Sequence, residues 1–117
     1  MEAFENLDVW NRSHQLAVEI YKSLHNCREF ALKDQIIRSV ISVPSNIAEG
    51  FERNSNKQFI QFLRIAKGSC GELRSQLYLC ASIGLLSEEK TMQFQQEAKE
   101  ISKMIQGLIR YCMSKLK

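Results

Sequence analysis

The chain has 117 residues, 44% of them hydrophobic and 25% charged, with a formal net charge of +3. That length is one domain, able to bury about two thirds of the surface its unfolded form exposes. Five glycines and a single proline leave too few turns for an all-β fold; no apolar run approaches the roughly 20 residues of a membrane span, and the charge is well short of a dedicated nucleic-acid arm.

The start, Met1-Glu2-Ala3-Phe4-Glu5, is acidic, the wrong sign for a secretory leader. The apolar period is 3.6 nearly throughout. A first helix is predicted from about Asp8 to about Asn26, with Trp10, Ala17, Ile20, Tyr21 and Leu24 on one side. A second runs from about Leu32 to about Glu49, with Gly50 placed to end it. The only proline, Pro44, falls inside it and predicts a kink, since proline removes a backbone donor and clashes with the preceding turn. Asn54 or Ser55 can cap a long third helix reaching about Ile83, where Gly84 supplies the stop. Ser87 caps a fourth, with Glu88 and Glu89 complementing the helix dipole and Phe94, Ala98, Ile101, Ile105, Leu108 and Cys112 on one stripe. Short linkers predict an all-α, up-down-up-down antiparallel four-helix bundle, one domain over residues 1–117.

The two central helices are greasier than one core requires. On the second, Ile36, Val40, Val43 and Ile47 form one stripe and Ile37, Ile41 and Ala48 another. On the third, Phe59, Leu63, Ala66, Cys70, Leu73, Leu77 and Ala81 form the core stripe, and Phe62, Ile65, Leu79 and Ile83 lie beside it. Soluble monomers rarely leave large apolar patches open, and another copy of the chain is the simplest cover. Ile37, Ile41, Phe62, Ile65, Leu79 and Ile83 are therefore the candidate oligomer interface. A wide single core is the plainer alternative.

The third helix has a further face. Arg53, Lys57, Arg64, Lys67 and Arg74 fall within roughly 100° on a helical wheel, with Tyr78 and Ile60 in the same arc and no acidic residue of the helix among them. A basic stripe with an interleaved aromatic suits phosphates; it also describes an ordinary solvated face. A polar set, Gln35, Arg38, Ser42, Asn46 and Glu49, recurs along the second helix, opposite Ser69 and Glu72. It predicts a partly buried Arg38–Glu72 pair, with Asn46 and Glu49 satisfying backbone groups near Pro44; such a layer sets register more than it adds stability. Gly68 and Gly71 predict the close approach of another helix.

Little here points to catalysis. A di-iron bundle needs Glu-x-x-His pairs, but Asn11 and Lys22 stand three residues before His14 and His25. Cys27 and His25 are two apart and do not face each other on a helix. The four cysteines (Cys27, Cys70, Cys80, Cys112) lack metal spacing and read as buried thiols of a reducing cytoplasm. No phosphate-binding glycine loop occurs, so no metal, cofactor or catalytic residue is assigned.

Four segments carry a family likeness: Phe4-x-x-Leu7-x-Val9-Trp10, Gln35-Ile36-x-Arg38-Ser39, Asn46-Ile47-Ala48-Glu49-Gly50-x-x-Arg53, and Phe62-Leu63-x-Ile65-Ala66-x-Gly68-Ser69-x-x-Glu72-Leu73. Together they resemble the bacterial four-helix-bundle family of 23S rRNA intervening-sequence proteins, over nearly the whole chain. Some members of that family are encoded inside rRNA-gene insertions, and related accessory proteins accompany diversity-generating retroelements. The resemblance implies a ring of five, nucleic-acid binding through basic surfaces beside a reverse transcriptase in the retroelement relatives, and no catalytic residue to carry over. Phe51 and Glu52, between Gly50 and Arg53, make that corner less basic and weaken a phosphate role for Arg53. The reading is a cytoplasmic, non-enzymatic homo-oligomer, a pentamer by resemblance, that binds RNA or DNA through Arg53, Lys57, Arg64, Lys67 and Arg74 and does not engage membranes. The alternative is a protein–protein adaptor docking a partner enzyme.

Overall fold

The computed structural model describes residues 3–116; Met1 and Glu2 of the acidic start and Lys117 lie outside the described residues. A short 3-10 turn, Phe4–Asn6, leads into four helices: α1 (Asp8–Ser23), α2 (Phe30–Glu52), α3 (Asn56–Ser82) and α4 (Glu88–Ser114). Local chemistry sets most boundaries. Ser55 accepts a hydrogen bond from the Gln58 amide and starts α3, and Ser87 does the same for Lys90 in α4. Gly84 takes a φ of +73° just past α3, a conformation most residues avoid.

The helices form a rod of 49 × 20 × 18 Å in which α2 packs on α1 and α3, and α4 closes the circuit against α3 and α1. Contacts fix their directions. Ser42 meets Ser69 while Gly50 lies against Phe59 and Phe62, so α3 runs back along α2. Gln95, near the start of α4, donates to the Arg74 carbonyl, while Gln106 and Met113 lie beside Arg64 and Lys67, so α4 runs back along α3. Between them sits one core, in which Ile20, Leu24, Ile36, Ile47, Leu63, Leu73, Leu77, Ile101 and Ile105 are fully buried. Burying a side chain of that size contributes about 1.5–3 kcal/mol before entropy is counted.

Three expectations change on contact with the structure. First, α2 does not stop at Gly50; it continues to Glu52, and the left-handed residue after it is Asn54, at φ +56°. Gly50 is buried against α3, where a Cβ would lie 2.5 Å from Phe62 Cβ. Second, Ile20 and Leu24 of the predicted α1 stripe are buried, but Trp10 and Ala17 are only half-buried and Tyr21 is exposed; the buried positions of the helix are Val9, Ser13, Leu16 and Ile20. Third, among the described residues no other helix comes within 4 Å of a Cβ at Gly68 or Gly71, so the close approach expected there is not made within the chain. Pro44 sits inside α2 without ending it, and two residues further on Asn46 Nδ2 reaches back across it to donate to both the Ser42 carbonyl (2.8 Å) and Ser42 Oγ (2.9 Å).

Candidate functional site

The five predicted phosphate contacts separate into three groups. Lys57, Arg64 and Lys67 are exposed on α3 and have no ion-pair partner among the described residues. Arg53 is spent locally: its Nη2 donates to Glu49 Oε2 at 2.9 Å, and its guanidinium lies 5.0 Å from the centre of the Phe62 ring. Arg74 is half-buried, with its Nε enclosed and unpartnered and its carbonyl accepting from Gln95. Tyr78 is exposed in the same arc, but Ile60 is buried, since the last turns of α4 lie alongside the first turns of α3.

The structure adds cations that the arc on α3 did not include. Arg64, Lys67 and Gly68 line a notch with Gln106, Ile109 and Met113 of α4. On the same side of α4, Lys99, Lys103 and Arg110 fall within about 40° on a helical wheel and are exposed. Lys103 lies 3.5 Å from Glu100, whereas Lys99 and Arg110 have no ion-pair partner among the described residues. The nearby carboxylate Glu97 is turned to the α1 side, where both its oxygens accept from Arg12 at 3.0 and 2.6 Å. The i, i+4, i+11 spacing of Lys99, Lys103 and Arg110 was visible in the sequence; that it continues the α3 stripe depends on how α4 docks. Bare backbone at Gly68 and Gly71 keeps this face low between its cations.

The predicted polar layer is reorganised. Arg38 and Glu72 are both exposed and do not pair with each other; the link between α2 and α3 is Ser42 Oγ to Ser69 Oγ at 2.9 Å. Glu49 turns to Arg53, and Asn46 to Ser42. Short hydroxyls meet where the helices are close, and the long charged side chains of Arg38 and Glu72 remain in water, where their solvation is kept. The candidate interface residues also divide. Ile37 and Ile41 border a groove between α1 and α2, Phe62 is half-buried against Gly50, and Ile65, Leu79 and Ile83 stand exposed on α3.

Among the described residues no three His, Cys, Asp or Glu side chains cluster closely enough to hold a metal ion. His14 stacks on Trp10 with ring centres 4.9 Å apart. Cys70, Cys80 and Cys112 are buried and Cys27 half-buried, all as free thiols. Burial pushes the Cys70 thiol up to about 12, far from a reactive thiolate. No described helix is long and apolar enough to cross a membrane.

Comparison with known proteins gives a consistent picture. A search among curated proteins finds no match. A crystal structure of a protein of unknown function from the S23 ribosomal protein family, from Bacteroides thetaiotaomicron, superposes with a TM-score of 0.81 at 31% identity, covering 86% of this chain and 97% of that one. The sequence profile of the family described as 23S rRNA-intervening sequence protein matches residues 5–107, which takes in all of α1, α2 and α3 and most of α4. With fold, length and sequence in agreement, the chain belongs to the family of 23S rRNA-intervening sequence proteins.

Proposed function

We propose that this protein is a non-enzymatic, self-associating helical bundle of the cytoplasm that binds RNA or DNA across its α3–α4 face. The observation that carries the reading is the set of exposed, unpaired cations Lys57, Arg64 and Lys67, continued on α4 by Lys99 and Arg110. Side chains on two helices flanking a shallow notch can follow a phosphate backbone, and each phosphate neutralised releases counterions. Arg74 and Arg53 act as supports, since one is half-buried and the other is held by Glu49 and Phe62. Self-association, to the ring of five that family resemblance suggests, would repeat this face and strengthen its field.

Anisotropy titration of a structured RNA and a DNA duplex across a range of salt tests the proposal. Affinity should fall steeply with ionic strength, with a log–log slope of about −0.9 per phosphate contacted on duplex DNA. Arg64→Glu combined with Lys67→Glu should weaken binding at least tenfold and flatten that slope by about 2. Binding that ignores salt and survives both substitutions would overturn the nucleic-acid reading and favour a protein–protein adaptor.

A further inference from the structure

The apolar surplus of the central helices is not one surface. It is a hollow and a ridge on different sides of the bundle. The hollow runs between α1 and α2, holds about 600 Å³, and is lined chiefly by Phe4, Trp10, Ala17, Ile37, Ile41 and Pro44. The ridge is the outer edge of α3, where Ile65, Leu79 and Ile83 are each about half exposed (52, 48 and 53%). These three share with Glu72 an arc of about 40° on a helical wheel. Phe30, exposed at the start of α2, stands at the same end of the bundle as Ile83 because α2 and α3 are antiparallel.

We infer that the hollow of one molecule receives the α3 ridge of a second copy, head to tail, with Glu72 of the ridge meeting Arg38 at the rim of the hollow. Two observations support this occupant. The charges are complementary: Glu72 is the one charged residue of the ridge, while the rim carries Lys22, Lys33 and Arg38 against a single carboxylate, Asp34. Neither Arg38 nor Glu72 has an ion-pair partner among the described residues. The two surfaces are also unlike. A hollow cannot fill an identical hollow, so the contact is heterologous and repeats until a ring closes or a filament grows. Each copy then covers the apolar surface that the other leaves wet.

This inference rests on the self-association proposed above, and light scattering of the full chain separates the two. Ile41→Glu spoils the hollow and leaves the ridge; Ile83→Glu does the reverse. Both positions are about half exposed, and circular dichroism checks that each variant folds. Each variant alone should remain a single chain. An equimolar mixture should yield a particle of two chains and nothing larger, since only one hollow and one ridge remain competent. The exposed charges give a second measurement: Arg38→Glu and Glu72→Arg should each weaken assembly at least tenfold, and the double variant should recover most of it. A wild-type protein that stays single at high concentration would overturn self-association and this inference with it. A wild type that assembles, with variants that still assemble alone or a mixture that never pairs, would overturn only the hollow-and-ridge contact.

Discussion

Glycine to alanine at three places on the central helices should give opposite results, and the structure supplies the magnitudes. In a helix interior the change is worth about 1 kcal/mol of propensity in favour of alanine. At Gly68 and Gly71 a Cβ meets nothing within 4 Å, so each variant should gain about that amount. At Gly50 the new Cβ would lie 2.5 Å from Phe62 Cβ and 3.0 Å from Phe59 Cδ1, whereas ordinary contact begins at 3.4 Å. The shorter of these falls about 0.9 Å inside contact, and Phe62 Cβ is fixed to the α3 backbone, so the two helices must part. That places the cost near the top of the overpacking range, about 3 kcal/mol, and leaves a net loss of about 2 kcal/mol. At about 4 °C per kcal/mol for a chain of this size, Gly50→Ala should melt about 8 °C below wild type, and Gly68→Ala and Gly71→Ala about 4 °C above it. Far-ultraviolet circular dichroism during heating and urea titration, at one fixed protein concentration, measures all three. Because the obstacle is Cβ, adding Phe62→Ala should not rescue Gly50→Ala. A Gly50→Ala protein as stable as Gly68→Ala would refute the packing argument.

Two further outcomes follow from pairs and burial in the core. Arg12 donates twice to Glu97 across the α1–α4 seam, and both side chains are partly exposed, so Arg12→Ala should cost about 0.5–1 kcal/mol, a loss that shrinks as salt is raised; a urea titration at two salt concentrations checks it. Cys70 keeps its proton in the folded state to about 12 rather than its ordinary 9.0, because it is buried. Its contribution is complete below pH 9.0 and is lost between 9.0 and about 12, where only the unfolded chain releases the proton. Over that window Cys70→Ala should flatten the fall of stability by about 1.4 kcal/mol per pH unit, read from urea midpoints in alkaline buffers, and an unchanged slope would contradict the assignment.

How far the sequence speaks for itself depends on the range of the interaction. Ser55, Gly84 and Ser87 mark helix ends in the sequence because capping is settled within three or four residues. The core stripes of α2 and α3 were also readable, since a 3.6-residue period carries them, except at the end of α3, where Cys80 is buried and the expected Ala81 is only half-buried. The candidate site was half legible: Lys57, Arg64 and Lys67 are visible as a stripe, but their continuation by Lys99 and Arg110 is not, because it depends on how α4 docks beside α3.

Periodicity, caps and turn residues are local, and they alone determined that this chain makes four helices, where α3 and α4 begin, where α3 stops, and which faces of the central pair turn inward. Rotation and partnership between helices were decided only in three dimensions. Gly50 lies under Phe62, Arg12 reaches a glutamate 85 residues away, and within the chain Arg38 and Glu72 do not pair with each other while Ser42 and Ser69 bridge the seam. Apolar period fixes which side of a helix is greasy, but several rotations bury that side equally well. The choice among them belongs to side-chain shape at the contact, which no single helix contains.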